Sequence, residues 1–355
     1  MAYQRRWQSP KRGGRSASDE SAESYYGVAP IHKPHWKWLI IAYFYLGGIS
    51  GLSYVIAEIA RRAGGAQNRA ITRAGRYISF GTLLPCPVLL ILDLGRPERF
   101  LNMLRVFKLR SPMSVGTWVL VAFSGFCTIS AVVQATQDGL LNRFGAAHLL
   151  ATRGQLARWI GALGVPMGFL LGGYTGVLLA ATAVPLWTRN ALLMGPLFLA
   201  SSASNATAAI TLSLSLGKAP HRTIARLERL EVCSLVAELG LLTVNRKRLG
   251  AAIGRPLRAG RTGRLYRYGV HGLGIIAPMV LTAVPMVTGM RPSHRRTALS
   301  SLLALGGGVI FRYVMVVAGH HSADDPQATF ELTRRGREKS VEHSTTDAVR
   351  PAPPV

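Results

Sequence analysis

The chain has 355 residues, of which 49% are hydrophobic and 16% charged, with a formal net charge of +26 and a positive mean hydropathy. Soluble domains carry roughly 25% charged residues, so the composition argues against a water-soluble globule. The basic surplus would suggest nucleic acid in a soluble protein, but here Lys and Arg sit almost entirely between apolar runs. They read as topology signals, and no nucleic-acid partner is expected.

Residues 1–33 are basic and then Ser/Glu-rich, without the apolar core of a removable signal peptide, and read as a mobile tail. Eight apolar spans follow: Trp38 to Ile59, Tyr77 to Leu94, Ser114 to Ala135, Leu163 to Leu186, Ala191 to Leu216, Leu230 to Val244, Val270 to Met290 and Ala298 to Ala318. About 20 apolar residues cross a hydrocarbon core, and hydrocarbon gives an unpaired peptide group no partner, so each span is expected as a helix. The sixth is the weakest, being short and containing Glu238. Seven spans remain the alternative, and this helix is expected to reach back into the segment after Pro220. From residue 321 to 355 the chain forms a second polar tail, Pro-punctuated at its end. The expected fold is therefore all-α, a polytopic membrane helical bundle of about eight transmembrane helices over residues 34–320, flanked by two tails.

With eight spans, the tails and the loops after even-numbered spans carry 26 Lys and Arg, against 15 in the other loops. The positive-inside rule then places both termini in the cytoplasm, in a bacterial inner or plasma membrane. Trp36, Trp38, Trp159 and Trp187 fall at span ends and read as interfacial anchors among the membrane lipids. Small residues near 48, 172, 201 and 306 allow close helix approach, and Pro85, Pro87, Pro166, Pro185, Pro278 and Pro285 imply kinks.

Ionisable groups inside a membrane are costly and face a cavity or a partner. Glu58 is close to Arg61 and Arg62 and reads first as an interfacial salt bridge. Asp93 precedes Arg96 and Arg99 in the run ILDLGRPERF, which makes a structural ion pair, a proton-handling carboxylate or a partner-docking surface. Glu238 shares a helix face with Glu231, which itself lies near Arg229 and is expected to pair with it. Glu238 either binds protons or contacts Arg312, which is too deep in the last span to snorkel and is expected to neutralise a buried acid or line a polar cavity. Tyr43 and Tyr54 lie in the first span. Tyr174 follows Gly172 and Gly173, leaving a phenol beside a gap able to admit a flat ligand, although packed tyrosines are commoner.

The three cysteines, Cys86, Cys127 and Cys233, lie in apolar stretches without ligand spacing, so no disulfide, zinc or iron-sulfur cluster is expected on this chain. His35, His271, His320 and His321 lie near span ends with no two placed to clamp a haem, and none is expected.

The runs PHWKWLIIAYFYLGGISG, LLILDLGRPERFLNMLR, SPMSVGTWVL, GGYTGVLLAATAVPLWTRNALLMGPLFLASSAS and FRYVMVVAG resemble, in order, the NrfD-like family of quinone-interacting membrane subunits, which includes the polysulfide reductase membrane subunit. The resemblance implies an eight-helix, haem-free subunit that exchanges electrons between quinone, menaquinone or ubiquinone, and a ferredoxin-like iron-sulfur subunit. That subunit is in turn fed by a molybdopterin or tungstopterin catalytic subunit, here expected to be of formate-dehydrogenase type. It implies a quinone site at Tyr174 with help from the first helix, where Tyr43 stands at the position of a family histidine and His35 is the available substitute. Asp93, Glu238 and Arg312 look like the family's intramembrane polar groups. The long basic segment from DLGRPERF to SPMS, with Arg96, Arg99 and Arg105, is the expected docking face. A secondary transporter or channel, or a purely structural membrane anchor, are the alternatives; inverted repeats and a midplane ion site would mark the first.

Overall fold

The computed structural model describes residues 36–94, 98, 100–105, 107–141, 154–290 and 292–331. The described chain is helical throughout. It runs as α1 (Trp38–Ala63), α2 (Ala66–Leu83), α3 (Pro85–Asp93), α4 (Phe100–Arg105), α5 (Pro112–Gln137), α6 (Gly154–Ala180), α7 (Pro185–Thr188), α8 (Ala191–Leu216), α9 (His221–Arg248), α10 (Gly260–Thr288) and α11 (His294–Asp324). Among the described residues seven helices are long and apolar enough to cross a membrane: α1, α2 with α3, α5, α6, α8, α10 and α11.

Successive crossings pack antiparallel. Ser50 of α1 meets Ser79 of α2 while Thr72 meets Ala57. Tyr54 of α1 bonds Gly161 of α6, and Ser201 of α8 meets Arg312 of α11. The helix α9 carries too much charge to count as an apolar span, yet it runs alongside α8 over that helix's depth. Ser204 bonds Glu238 in the middle, and Asn190 bonds Asn245 at the far end. It is thus an eighth long helix of the bundle, with Glu231, Ser234, Glu238 and Asn245 buried against its neighbours while the arginines towards its two ends are exposed.

The helices extend beyond the apolar runs, because polar turns continue a helix wherever their side chains find partners. The second crossing begins at Ala66, eleven residues before Tyr77, and breaks at Leu84 ahead of Pro85. The sixth reaches back to His221 directly after Pro220. The fourth ends at Ala180, short of Leu186, because Pro185 starts a separate turn, α7. The last continues to Asp324, past residue 320.

Two anchoring expectations part ways. Trp38 and Trp159 are 69% exposed, as lipid-facing anchors should be, whereas Trp187 is fully buried. Its indole donates to the Met315 carbonyl at 2.9 Å and stacks on Trp36 with ring centroids 5.4 Å apart. Trp187 is a core residue because α7 folds it back under α11.

Glu58 pairs with Arg61 as expected, at 2.7 Å, but the carboxylate is 0% exposed and its second partner is Arg76, also at 2.7 Å. Arg62 is exposed. Arg76 extends the network to Gln134, which reaches Asp138, where Arg73 and Tyr77 converge. This network ties α1, α2 and α5 together at the face where α1 ends, and it explains how the polar start of α2 lies against the bundle.

Candidate functional site

The first span of α1 and the end of α6 meet at the face where α1 begins, called here the N-terminal face. Tyr43 is buried on α1 and lies within electrostatic reach of both Tyr174 on α6 and Cys86 on α3. Tyr174 lays its ring over Gly116 of α5, so closely that a Cβ at 116 would run into it. Tyr174 is half-buried, and its hydroxyl is out of solvent with no side-chain partner among the described residues and the Gly116 backbone beside it. A phenol O–H turned away from water without an acceptor side chain is uncommon, because the lost hydrogen bond to water is not replaced. The two tyrosines singled out from the sequence thus lie within electrostatic reach of each other.

Below them, an open and almost wholly apolar groove of about 440 Å³ runs along α5 and α6, lined by Phe107, Val115, Trp118, Val119, Ala122 and Met167. Met167 lies seven residues, two turns, from Tyr174 and so on the same face of α6. Phe107 packs edge-on to Trp118 at 6.0 Å, and the Trp118 indole N–H is likewise buried without a partner. An open apolar groove with the Trp118 N–H in its lining and Tyr174 two turns along α6 suits a ligand with a carbonyl ring and a long hydrocarbon tail.

At mid-membrane the structure assembles a second polar cluster. Arg312 is 0% exposed. Its Nη1 donates to Ser201 Oγ at 2.6 Å and to the Gly308 carbonyl at 3.3 Å, and its Nη2 donates to Ser202 Oγ at 3.1 Å. The aromatic rings of Tyr45, Phe198 and Phe311 surround the guanidinium at 5.4 to 5.8 Å. Glu238 does not meet Arg312 directly. It accepts from Ser204 Oγ at 2.7 Å, and the Ser201 hydroxyl, which accepts from Arg312, lies beside it. A hydroxyl that accepts from a guanidinium keeps its own proton to donate, so Ser201 is placed to bridge cation and carboxylate. Ser202 donates to the Gly172 carbonyl at 3.0 Å, two residues before Tyr174, and thus links the cluster to the tyrosine pair.

Asp93 closes α3 at the N-terminal face, half-buried, with Lys37 as the nearby cation. Arg105 ends α4 and is exposed. His35, Arg96 and Arg99 lie outside the described residues. The expected Glu231–Arg229 pair is absent: Arg229 is exposed, while Glu231 is buried with neither carboxylate oxygen bonded. Two residues apart on a helix, the side chains point to nearly opposite sides.

The sequence-based reading passed over Ser201, Ser202 and Ser204, because SSAS read as small packing residues. An arginine in a later span facing a hydroxyl-rich run is the signal that would have found them. Cys86, directly after the Pro85 break, is buried within electrostatic reach of Tyr43.

The family described as polysulphide reductase, NrfD, matches residues 29–322, the whole of this bundle. The chain belongs to that family. Similar proteins include Protein NrfD of Escherichia coli (strain K12), 28% identical over 312 residues, covering 80% of this chain and 94% of the relative. The C subunit of polysulfide reductase from Wolinella succinogenes is also 28% identical, over 306 residues, with the same coverages. The NrfD homolog of Haemophilus influenzae is 27% identical over 313 residues, covering 82% and 96%. The family match over residues 29–322 takes in both the tyrosine pair and the Arg312 cluster. With its apolar crossings, this NrfD protein is an integral membrane protein.

Proposed function

We propose that this chain is the quinone- or quinol-binding membrane subunit of a respiratory oxidoreductase complex. The relative named as the C subunit of a polysulfide reductase supports assembly with other subunits. The observation that carries the reading is the Tyr174 hydroxyl, held out of solvent without a side-chain partner, within electrostatic reach of Tyr43 and on the same face of α6 as Met167 of the apolar groove.

In this reading the Tyr174 hydroxyl donates to one carbonyl of the quinone ring, Gly116 leaves room for the Tyr174 ring to lie against α5, and the groove along Phe107, Trp118 and Met167 holds the hydrocarbon tail. The bound quinone supplies the two-electron, two-proton redox chemistry, since the protein's own contribution is binding, orientation and proton supply. The Arg312–Ser201–Glu238 cluster holds an acid in mid-membrane, and Ser202 connects its surroundings to the backbone beside Tyr174. The electrons come from or go to a ferredoxin-like iron-sulfur subunit docked at the N-terminal face near Asp93, Arg96, Arg99 and Arg105. A molybdopterin or tungstopterin catalytic subunit, of formate-dehydrogenase type, stands behind it. Both termini lie on the cytoplasmic side of a bacterial inner membrane, as the distribution of Lys and Arg favours.

Replacing Tyr174 with Phe tests the reading. One lost hydrogen bond of about 1 kcal/mol lowers quinone affinity roughly fivefold. Quinol-linked turnover of the purified complex is expected to fall while subunit assembly stays intact; unchanged turnover and affinity remove Tyr174 from the site.

A further inference from the structure

Two turns before Glu238, on the same face of α9, Glu231 is 0% exposed and both of its oxygens lack a hydrogen-bond partner among the described residues. The antiparallel register that sets Ser204 against Glu238 brings Thr211 of α8 level with Glu231. On the other side, α11 runs parallel to α9. Thr297 bonds Glu228 at 2.8 Å, which brings Ser301 to the level of Glu231. Thr211 Oγ1 and Ser301 Oγ are both buried without a partner, and so is Ser215 Oγ, one turn nearer the face where α1 ends. At that face His294 stacks on His221 with centroids 4.2 Å apart, and the His294 Nδ1 is again buried and unbonded. Unsatisfied polar atoms therefore recur on α8, α9 and α11 from the face opposite the termini up to the Glu231 level.

The charges facing this region between the three helices are few. The helix α8 carries no Asp, Glu, Lys or Arg between Ala191 and Leu216. On α9 the neighbour is Glu228, itself acidic, and on α11 the basic groups His294, Arg295 and Arg296 sit at the membrane face, more than a turn away from the level of Ser301. No described cation is bonded to Glu231. An ionised carboxylate left without hydrogen bonds in such a place is the costliest group a protein can bury. A protonated acid whose O–H and C=O are met by water, with that water also serving Thr211, Ser301 and Ser215, removes the conflict, since internal water is what satisfies otherwise unpartnered buried polar groups.

We propose that Glu231 is a protonated carboxylic acid in a hydrated seam open to the face opposite the termini. There it gives its proton to the Glu238 carboxylate and regains one from water at that face. The step is balanced, one O–H bond breaking at Glu231 and one forming at Glu238, with no other reactant. The use of the proton rests on the quinone reading above. The acid and its access stand without that reading.

Infrared difference spectroscopy of the complex in lipid nanodiscs at neutral pH tests the acid, and needs no quinone. The expected result is a carboxylic acid C=O band that shifts promptly in D₂O, is missing in Glu231→Gln and persists in Glu228→Gln. A spectrum unchanged by Glu231→Gln, or a band that resists exchange, overturns the proposal. Access is read separately by placing a cysteine at Ser215 in a Cys233→Ser background. A water-soluble thiol reagent is expected to label it from the face where α1 ends and not from the other, and labelling from neither face contradicts an open seam. Because neither measurement involves Tyr174, failure here and failure of the quinone site are distinguishable.

Discussion

Arg312 holds its guanidinium at mid-membrane through hydroxyls, a carbonyl and aromatic faces, with the nearest carboxylate one serine away. Such an arrangement spreads the charge but keeps it separate from the acid, which a direct ion pair would not do. Two consequences belong to single residues. Replacing Ser201 with Ala leaves a buried guanidinium N–H and a carboxylate oxygen each short of a bond, and is expected to cost about 1–3 kcal/mol, read as a lower unfolding temperature in detergent. Replacing Glu238 with Gln keeps the shape and the Ser204 contact, so stability is expected to hold while proton-coupled turnover slows; a normal rate at normal stability makes the residue structural. Arg312, Glu238, Tyr43 and Tyr174 were legible in the sequence because an ionisable group or a glycine-flanked phenol in an apolar run stands out. The serines did not, since a hydroxyl is common in membrane helices and only its tertiary neighbour gives it a task. Glu231 was misjudged for a related reason: proximity in sequence suggested Arg229, but a separation of two residues places side chains on opposite sides of a helix.

At the scale of elements, the apolar runs marked where helices lie and misjudged where they stop. The start of α2 looked like a basic loop, yet Arg76 is spent on buried Glu58 and Gln134, so the helix continues to Ala66. Trp187 looked like an anchor, yet the α7 turn carries it beneath α11. The close contacts between α10 and α11 are set by glycine. Gly274 and Gly307 meet backbone to backbone, leaving no room for a Cβ on either. Gly307→Ala is expected to push these helices apart and cost about 1–3 kcal/mol, measured as thermal unfolding of the detergent-solubilised protein. An unchanged melting temperature contradicts that packing. The same helix α10 contains a π-helical stretch from Leu265 to Ile276, and no sequence periodicity announced it.

At the scale of the molecule, the bundle separates its polar regions by depth. The tyrosine pair and Asp93 sit at the N-terminal face, the Arg312–Glu238 cluster in the middle, and the Glu231 seam towards the opposite face. The overall class was legible because hydrocarbon constrains a polypeptide more tightly than water does. The vertical order was not, because it depends on the register between helices far apart in sequence. In the proposed function, a quinone site at one face with acids at mid-depth is what a subunit needs in order to couple a docked electron donor to a lipid-soluble carrier. The most direct measurement is gentle detergent purification of the tagged protein from its native host, with mass spectrometry of co-purifying subunits and solvent extraction of bound quinone. Iron-sulfur and pterin-containing subunits together with a stoichiometric quinone are the expected result; a lone protein without quinone would contradict the account.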